Sequence, residues 1–360
     1  LRFEHETLAQ RVSFAPGAAA AAVRTEVERL GGARVMVIAA EAEADLAEKV
    51  TADVPVALRH DEVVMHVPVA SAERARVAAA AHDVDVLVCV GGGSTTGLAK
   101  AIALTSGLPI VAVPTTYAGS EATSVWGLTE EAHKTTGVDP RVLPRSIVYD
   151  ATLSLSLPVA MSVASGLNAL AHCVDSMWAP RTDPIDQALA AEGIRALAAG
   201  LPAVVADPGG LAGRERVLYG AYLSAVAFSS AGSGLHHKIC HVLGGAYNLP
   251  HAQTHAVVLP YVLAFNAPAA PEAEQRIAEA FGTASAVHGL QRLRAAVNAP
   301  TALRDHGFHE ADIDVAARTI LEAIPVSNPK PVSLHDLRRI LRAAWQGTDP
   351  LFLASEGEES

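Results

Sequence analysis

The chain predicts an α/β layer with a parallel sheet, followed by an all-helical half. Three observations carry that prediction. Strand-like apolar runs alternate with helix-like stretches as far as about residue 150. No convincing strand pattern returns after Asp150. Residues 84–100, VDVLVCVGGGSTTGLAK, pass from a continuous apolar run through three glycines directly into a helical pattern. Alternating strands and helices imply right-handed crossovers and ligands beyond the carboxyl ends of the strands. The expected domains are 1–152, a dinucleotide-binding layer, and 153–360, a helical domain carrying substrate and catalysis, with a cleft between them.

Residues 13–17 (SFAPG) read as a turn and 18–30 as a helix stopped by Gly31 and Gly32. Strands are expected at 34–39, 62–67, 86–90, 109–113 and 147–149, with helices at 41–50 and 70–81. The apolar, β-branched run 86–90 suits a strand buried on both faces. Ser94 is the expected N-cap of the helix carrying Leu98, Ala101 and Ile102. Residues 114–145 read as a loop. Beyond them, helices are expected at 159–178, 184–201, 211–229, 235–247, 255–265, 271–281 and 283–297. A last helix, 333–345, has Ser333 as its cap. The acidic tail 355–360 is expected to fray.

Composition excludes several classes. Lys plus Arg number 27 against 38 Asp plus Glu, a balance of −11, which argues against nucleic acid as partner. Cys89, Cys173 and Cys240 are widely spaced and odd in number, so a disulfide framework is not expected and a reducing compartment is. No run of eighteen apolar residues predicts a membrane span. The expectation is a cytoplasmic protein acting on a small molecule, away from nucleic acid and membrane.

Gly91, Gly92 and Gly93 remove every Cβ from a strand-to-helix turn, so backbone N–H groups can approach an anion. The helix behind them adds about half a positive charge. Gly91–Gly93 with Ser94 therefore read as a phosphate cradle. The hydroxyl-rich segment PTTYAGSEATS, from Pro114, follows the next strand and offers Thr115, Thr116 and Ser120 as cofactor contacts.

The 15 histidines are concentrated in the helical half. Asn168 and His172 lie four apart, as do His237 and His241, and His251 and His255. Such pairs share a helix face, and converging pairs can hold a metal or move protons near neutral pH.

Glycine turn, PTT…GSE loop and histidine set occur in an order that resembles the iron-containing alcohol dehydrogenase family, which shares its fold with dehydroquinate synthase. The resemblance runs from about Phe14 to Trp345. It implies a Rossmann-like domain, a helical domain, NADH or NADPH as cofactor and an active site between the domains. The family's metal ligands, an Asp and three His, match Asn168, His172, His237 and His251, and His241 matches a histidine beside the nicotinamide. An amide at 168 removes the one anionic ligand, so a vestigial site and no essential metal are expected. Gly97, where the family carries Asp, and PHAQTH ending at His255 are further departures. Together these variants resemble the family's maleylacetate reductase branch, which reduces maleylacetate to 3-oxoadipate in the breakdown of aromatic compounds.

That resemblance implies catalytic roles for His172, His237, His241 and His251, and substrate contacts from His236, Lys238 and Asn168. Arg141 and Arg181 are weaker candidates for the substrate carboxylates. Ala40, at the expected end of the first strand with Ala39 before it and Glu41 after, leaves room for a 2′-phosphate. A homodimer is expected. The rival expectations are a metal-dependent alcohol or aldehyde dehydrogenase of the same fold, a lyase of the dehydroquinate synthase type, and a non-catalytic dinucleotide sensor.

Overall fold

The structure, a computed structural model, describes residues 2–7, 9–130, 133–325, 327–351 and 353, so the expected frayed tail lies outside the described residues. The chain forms two compact units, Thr7–Leu157 and a helical unit of Pro158–Ser360 joined by Leu1–Glu6. The N-terminal segment thus belongs with the helices, and the division after Leu157 falls five residues past the expected boundary.

The first unit is built on a six-stranded sheet whose paired strands are all parallel. Its strands are β1 (Arg11–Phe14), β2 (Val35–Ile38), β3 (Val56–His60), β4 (Val86–Gly91), β5 (Ile110–Pro114) and β8 (Ser146–Tyr149), in the order β1-β8-β5-β4-β2-β3. Every residue of β4 and β5 is buried, as their continuous apolar runs require. Helices α1 (Ala19–Arg29), α2 (Ala44–Val50), α3 (Val69–Ala81) and α4 (Gly93–Ser106) complete the layers. Two cores result, one holding α1 and α2 side chains, the other α3 and α4 side chains. Buried Glu26 of α1 bonds Arg11 of β1 at 2.7 Å and Ser146 of β8 at 2.6 Å, fixing the added edge strand.

Three expectations for this unit are corrected. The strand lies at Val56–His60, not at 62–67, where His66 and Val67 have positive φ of 64° and 47° ahead of Pro68. Extended pairing cannot pass through two left-handed residues. Residues 13–14 belong to β1, not to a turn. The expected loop 114–145 contains an antiparallel hairpin, β6 (Val125–Glu130) with β7 (His133–Val138). Gly127, Gly137 and the threonines weaken its alternation enough to hide it.

The second unit has, among the described residues, no strand. Its helices are α5 (Val159–Ser176), α6 (Pro184–Ala206), α7 (Leu211–Ala231), α8 (Leu235–Tyr247), α9 (His251–Asn266), α10 (Pro271–Phe281), α11 (Ala286–Ala296), α12 (Ile313–Ala323) and α13 (Leu334–Gln346). Ser333 caps α13 in a reciprocal capping box with Asp336, as its position predicts. Two differences matter. α9 starts at His251 rather than at 255, so His251 and His255 share one helix face. α12 was not anticipated, although Ile313, Ala316, Ala317 and Ile320 form a buried stripe. Helix α6 is long and apolar enough to cross a membrane, contrary to expectation, but it packs on α5, α7 and α10.

Candidate functional site

In the first unit the strand order reverses between β2 and β4, so the carboxyl ends of these strands form the switch-point crevice. Gly91 closes β4, Gly92 is the N-cap of α4, and Gly93 is its first residue. The expectation that Ser94 is the cap is therefore corrected: Ser94 lies inside the first turn, and no side chain caps the helix. A Cβ on Gly91, at φ +154°, would lie 2.4 Å from Thr95 Oγ1, and one on Gly92 would lie 3.0 Å from Thr116. The turn thus closes only on glycine and leaves the first amides of α4 without helical partners. An anion fits that need, and the pyrophosphate of a dinucleotide is such an anion.

Ala40 lies two residues beyond the end of β2 and carries no charge. Three residues on, Glu43 accepts a hydrogen bond from the Thr115 hydroxyl, and burial raises its carboxyl above the usual range. Thr116 faces Gly92, and the Ser120 carbonyl accepts from Lys100 at 2.6 Å. Lys100 is fully buried and also donates to Thr123 O at 2.8 Å, Thr123 Oγ1 at 3.0 Å and Val125 O at 2.8 Å. Burial pushes its ammonium down to about 7, opposed by the charge of Glu121. Four acceptors around one nitrogen call for at least three N–H donors, which only the ammonium form supplies. Glu121 is itself buried and accepts from the Tyr149 hydroxyl at 2.7 Å. This network sets the path of the loop following β5.

Gly97 has a local explanation. A Cβ there would meet Val67 Cγ2 at 2.9 Å, so glycine lets Val67 pack closely against α4.

In the helical unit, α5, α8 and α9 bring the histidines together. His172 stacks on His237 with ring centroids 5.0 Å apart, and Phe228 of α7 lies against both, at 4.7 and 4.2 Å. His255 sits 4.9 Å from His237 and 4.4 Å from His251. His236 Nε2 bonds His255 Nδ1 at 2.8 Å. His172, His236, His237, His255 and Asn168 are buried, whereas His241 and His251 are exposed. His241 is 6.0 Å from His237. Asn168 Oδ1, His237 Nε2 and His255 Nε2 are buried without a hydrogen-bond partner.

Sequence reasoning missed Asp175. Its fully buried carboxylate Oδ2 accepts from Gly234 N at 2.8 Å, His237 N at 3.3 Å and His237 Nδ1 at 2.7 Å. It therefore fixes the tautomer of His237, with the proton on Nδ1 and a lone pair on Nε2. The available signal was its place three residues after His172 on one helix. His236, expected to touch substrate, is buried and bonded to His255. Arg141 is paired with Asp139 at 2.7 Å, and Arg181 donates to Ser230 O at 3.0 Å at the end of α7. Lys238 remains as the cation beside His237.

Burial holds His172 down to about 3, with the charge of His251 acting in the same direction. Burial likewise holds His236, His237 and His255 well below 6.5. The folded cluster is neutral, while the unfolded chain binds protons on these groups below pH about 6.5. Stability must then fall as pH drops below that value, with a slope that grows with the number of histidines buried in neutral form. Urea midpoints measured between pH 7.5 and 5.5 should show this slope, and His172→Gln should flatten it.

Asn168, which stands where the family has its anionic ligand, offers a neutral amide oxygen, a poorer ligand for a hard divalent ion than a carboxylate. Among the described residues, the His, Cys and acidic side chains whose ligand atoms all come within 4.8 Å of one another are His236–Cys240–His255 and His5–Asp183–Asp186. The triple His172, His237 and His251 is not among them. In the first set His236 and His255 already bond each other, and burial raises the Cys240 thiol well above its usual range. Asp175 Oδ2 is taken by Gly234 and His237.

Comparison with known proteins agrees with this architecture. The model of the iron-containing alcohol dehydrogenase family matches residues 9–151, and that of the family's C-terminal part matches residues 162–345. The chain belongs to the iron-containing alcohol dehydrogenase family and is an oxidoreductase. Among solved structures, an iron-containing alcohol dehydrogenase from Corynebacterium glutamicum is 63% identical, with a TM-score of 0.97 over 98% of this chain and 99% of that one. The maleylacetate reductase of Pseudomonas sp. (strain P51) is 44% identical over 97% of this chain and 99% of its own length. The structure of maleylacetate reductase from Agrobacterium tumefaciens is 39% identical, with a TM-score of 0.92 over 97% of this chain and all of that one.

Proposed function

We infer that this chain uses NADH or NADPH to reduce the carbon–carbon double bond of maleylacetate, giving 3-oxoadipate. Near full-length identity to maleylacetate reductases supports the substrate. The observation that carries the chemistry is the packing of the buried cluster: His172 stacked on His237, His255 beside them, Asn168 buried with them, and Asp175 bonded to His237 Nδ1.

The dinucleotide supplies hydride, which goes to the carbon β to the ketone. The protein must then stabilise negative charge on the ketone oxygen and protonate the α-carbon. Neutral imidazole N–H groups suit the first task, and His172 is the proposed donor. His237 is the proposed proton carrier at Nε2, because Asp175 stabilises its imidazolium when it forms. Exposed His241 and His251 connect the cluster with solvent protons. Lys238 is the proposed partner of a substrate carboxylate, with Asn168 as a neutral contact. A conjugated enone develops its charge onto oxygen in this way without a Lewis acid, so no essential metal is proposed.

Gly91, Gly92, Gly93 and Ser94 hold the pyrophosphate, and Thr115, Thr116 and Ser120 contact phosphate, ribose or nicotinamide. The uncharged Ala40 admits a 2′-phosphate. kcat/KM with NADPH should therefore lie within a hundredfold of the NADH value, and a larger preference for NADH would refute that assignment. We propose a cytoplasmic homodimer, in keeping with three unpaired thiols and the commonest symmetric assembly. Following NADH oxidation with maleylacetate beside simple aldehydes and ketones tests the substrate. Faster turnover of aldehydes would favour the alcohol dehydrogenase reading.

A further inference from the structure

A second polar cluster lies outside the histidine set. Asp183 is the N-cap of α6, and its Oδ1 accepts from Ile185 N at 2.7 Å and Asp186 N at 3.0 Å. Its Oδ2 faces His5 Nδ1 at 2.7 Å. His5 comes from the N-terminal segment, 178 positions away in sequence. Asp186 is 0% exposed, and neither of its carboxylate oxygens has a hydrogen-bond partner. Its Oδ1 lies 3.9 Å from His5 Nδ1, and the ligand atoms of all three side chains fall within 4.8 Å of one another. Ser230 Oγ lies 3.5 Å from the same ring nitrogen.

A buried carboxylate with two unsatisfied oxygens requires a proton or a cation. An imidazole with two carboxylates is a donor set for a borderline divalent ion. In a tetrahedral zinc site, ligand atoms about 2.1 Å from the metal lie about 3.4 Å apart. The observed separations of 2.7 and 3.9 Å bracket that value, so shifts of about half an ångström would complete the site.

We propose that His5, Asp183 and Asp186 form a binding site for a divalent ion of the zinc class, with Ser230 or water as fourth ligand, fastening the N-terminal segment to the start of α6. Two carboxylates neutralise such an ion. Burial, aided by the charge of Asp183, pushes the Asp186 carboxyl up to about 6, although the Ser230 hydroxyl and the charge of His5 pull the other way.

The test is zinc uptake by chelator-treated full-length protein, compared with His5→Ala and Asp186→Asn. None of these residues belongs to the dinucleotide or histidine sites, so NADH oxidation should persist in every variant and report folding independently. Wild type should bind one more equivalent of Zn2+ than either variant, and its melting temperature should rise with zinc where theirs does not. Equal uptake by all three proteins overturns the proposal, whatever ions the other histidines take. So does a gain in melting temperature for Asp186→Asn with unchanged uptake, which would mean that a proton alone resides there.

Discussion

Replacement of Asp175 by asparagine is expected to lower kcat by about a hundredfold, with KM for the dinucleotide within about twofold of wild type. Three N–H groups converge on one carboxylate oxygen at 2.7–3.3 Å. An amide keeps the shape but offers a neutral oxygen on one side and an NH2 donor on the other. If the NH2 faces His237, the imidazole must move its proton to Nε2 and can no longer accept one there. If the oxygen faces it, the tautomer survives but the imidazolium loses its counter-charge. Either outcome weakens the proton-carrying step. Nitrogen chemical shifts of the His237 ring, compared between wild type and variant, separate the two cases. Unchanged kcat with an intact fold would show that His237 carries no proton in turnover.

Lys100→Met is expected to have the second large effect, on stability and on cofactor affinity together. The ammonium satisfies three backbone carbonyls and one hydroxyl, and it faces a buried Glu121. Methionine fills similar volume but leaves those acceptors and the carboxylate unpaired. Breaking a buried charge pair from one side costs about 3–5 kcal/mol. Because Ser120 and Thr123 are held directly by Lys100, KM for NADH should rise by about tenfold or more as the loop loses its shape. Adding Glu121→Gln should restore part of the stability, since the stranded charge is then gone. Additive losses in that double-mutant cycle would mean that the two side chains are not coupled.

Both residues were hard to see in the sequence, for a shared reason. Lys100 reads as one charge in an apolar helix, and Asp175 as one polar position in GLNALAHCVDSMW. Their importance comes from partners brought in by tertiary structure, at positions 120–125 and 234–237. The central strand, the glycine turn and the helical character of the second half were legible because each rests on local periodicity or steric need. The segment 62–67 failed that test: its apolar residues precede Pro68, and two left-handed residues turn it away from the sheet. The hairpin at 125–138 failed because its alternation is interrupted by glycine and threonine. For the site, spacing identified the histidines that converge, but not that His236 turns toward His255 or that Arg141 is occupied by Asp139.

The most direct test of the central claim is product analysis after extensive dialysis against chelator. The protein is supplied with NADH and maleylacetate, and the products and residual metal are quantified together. The account predicts 3-oxoadipate, formed with one NADH oxidised per double bond reduced, at a rate that returning Fe2+ or Zn2+ does not raise. Reduction at the ketone instead of the double bond, or a rate that vanishes on chelation and returns with the metal, would contradict it.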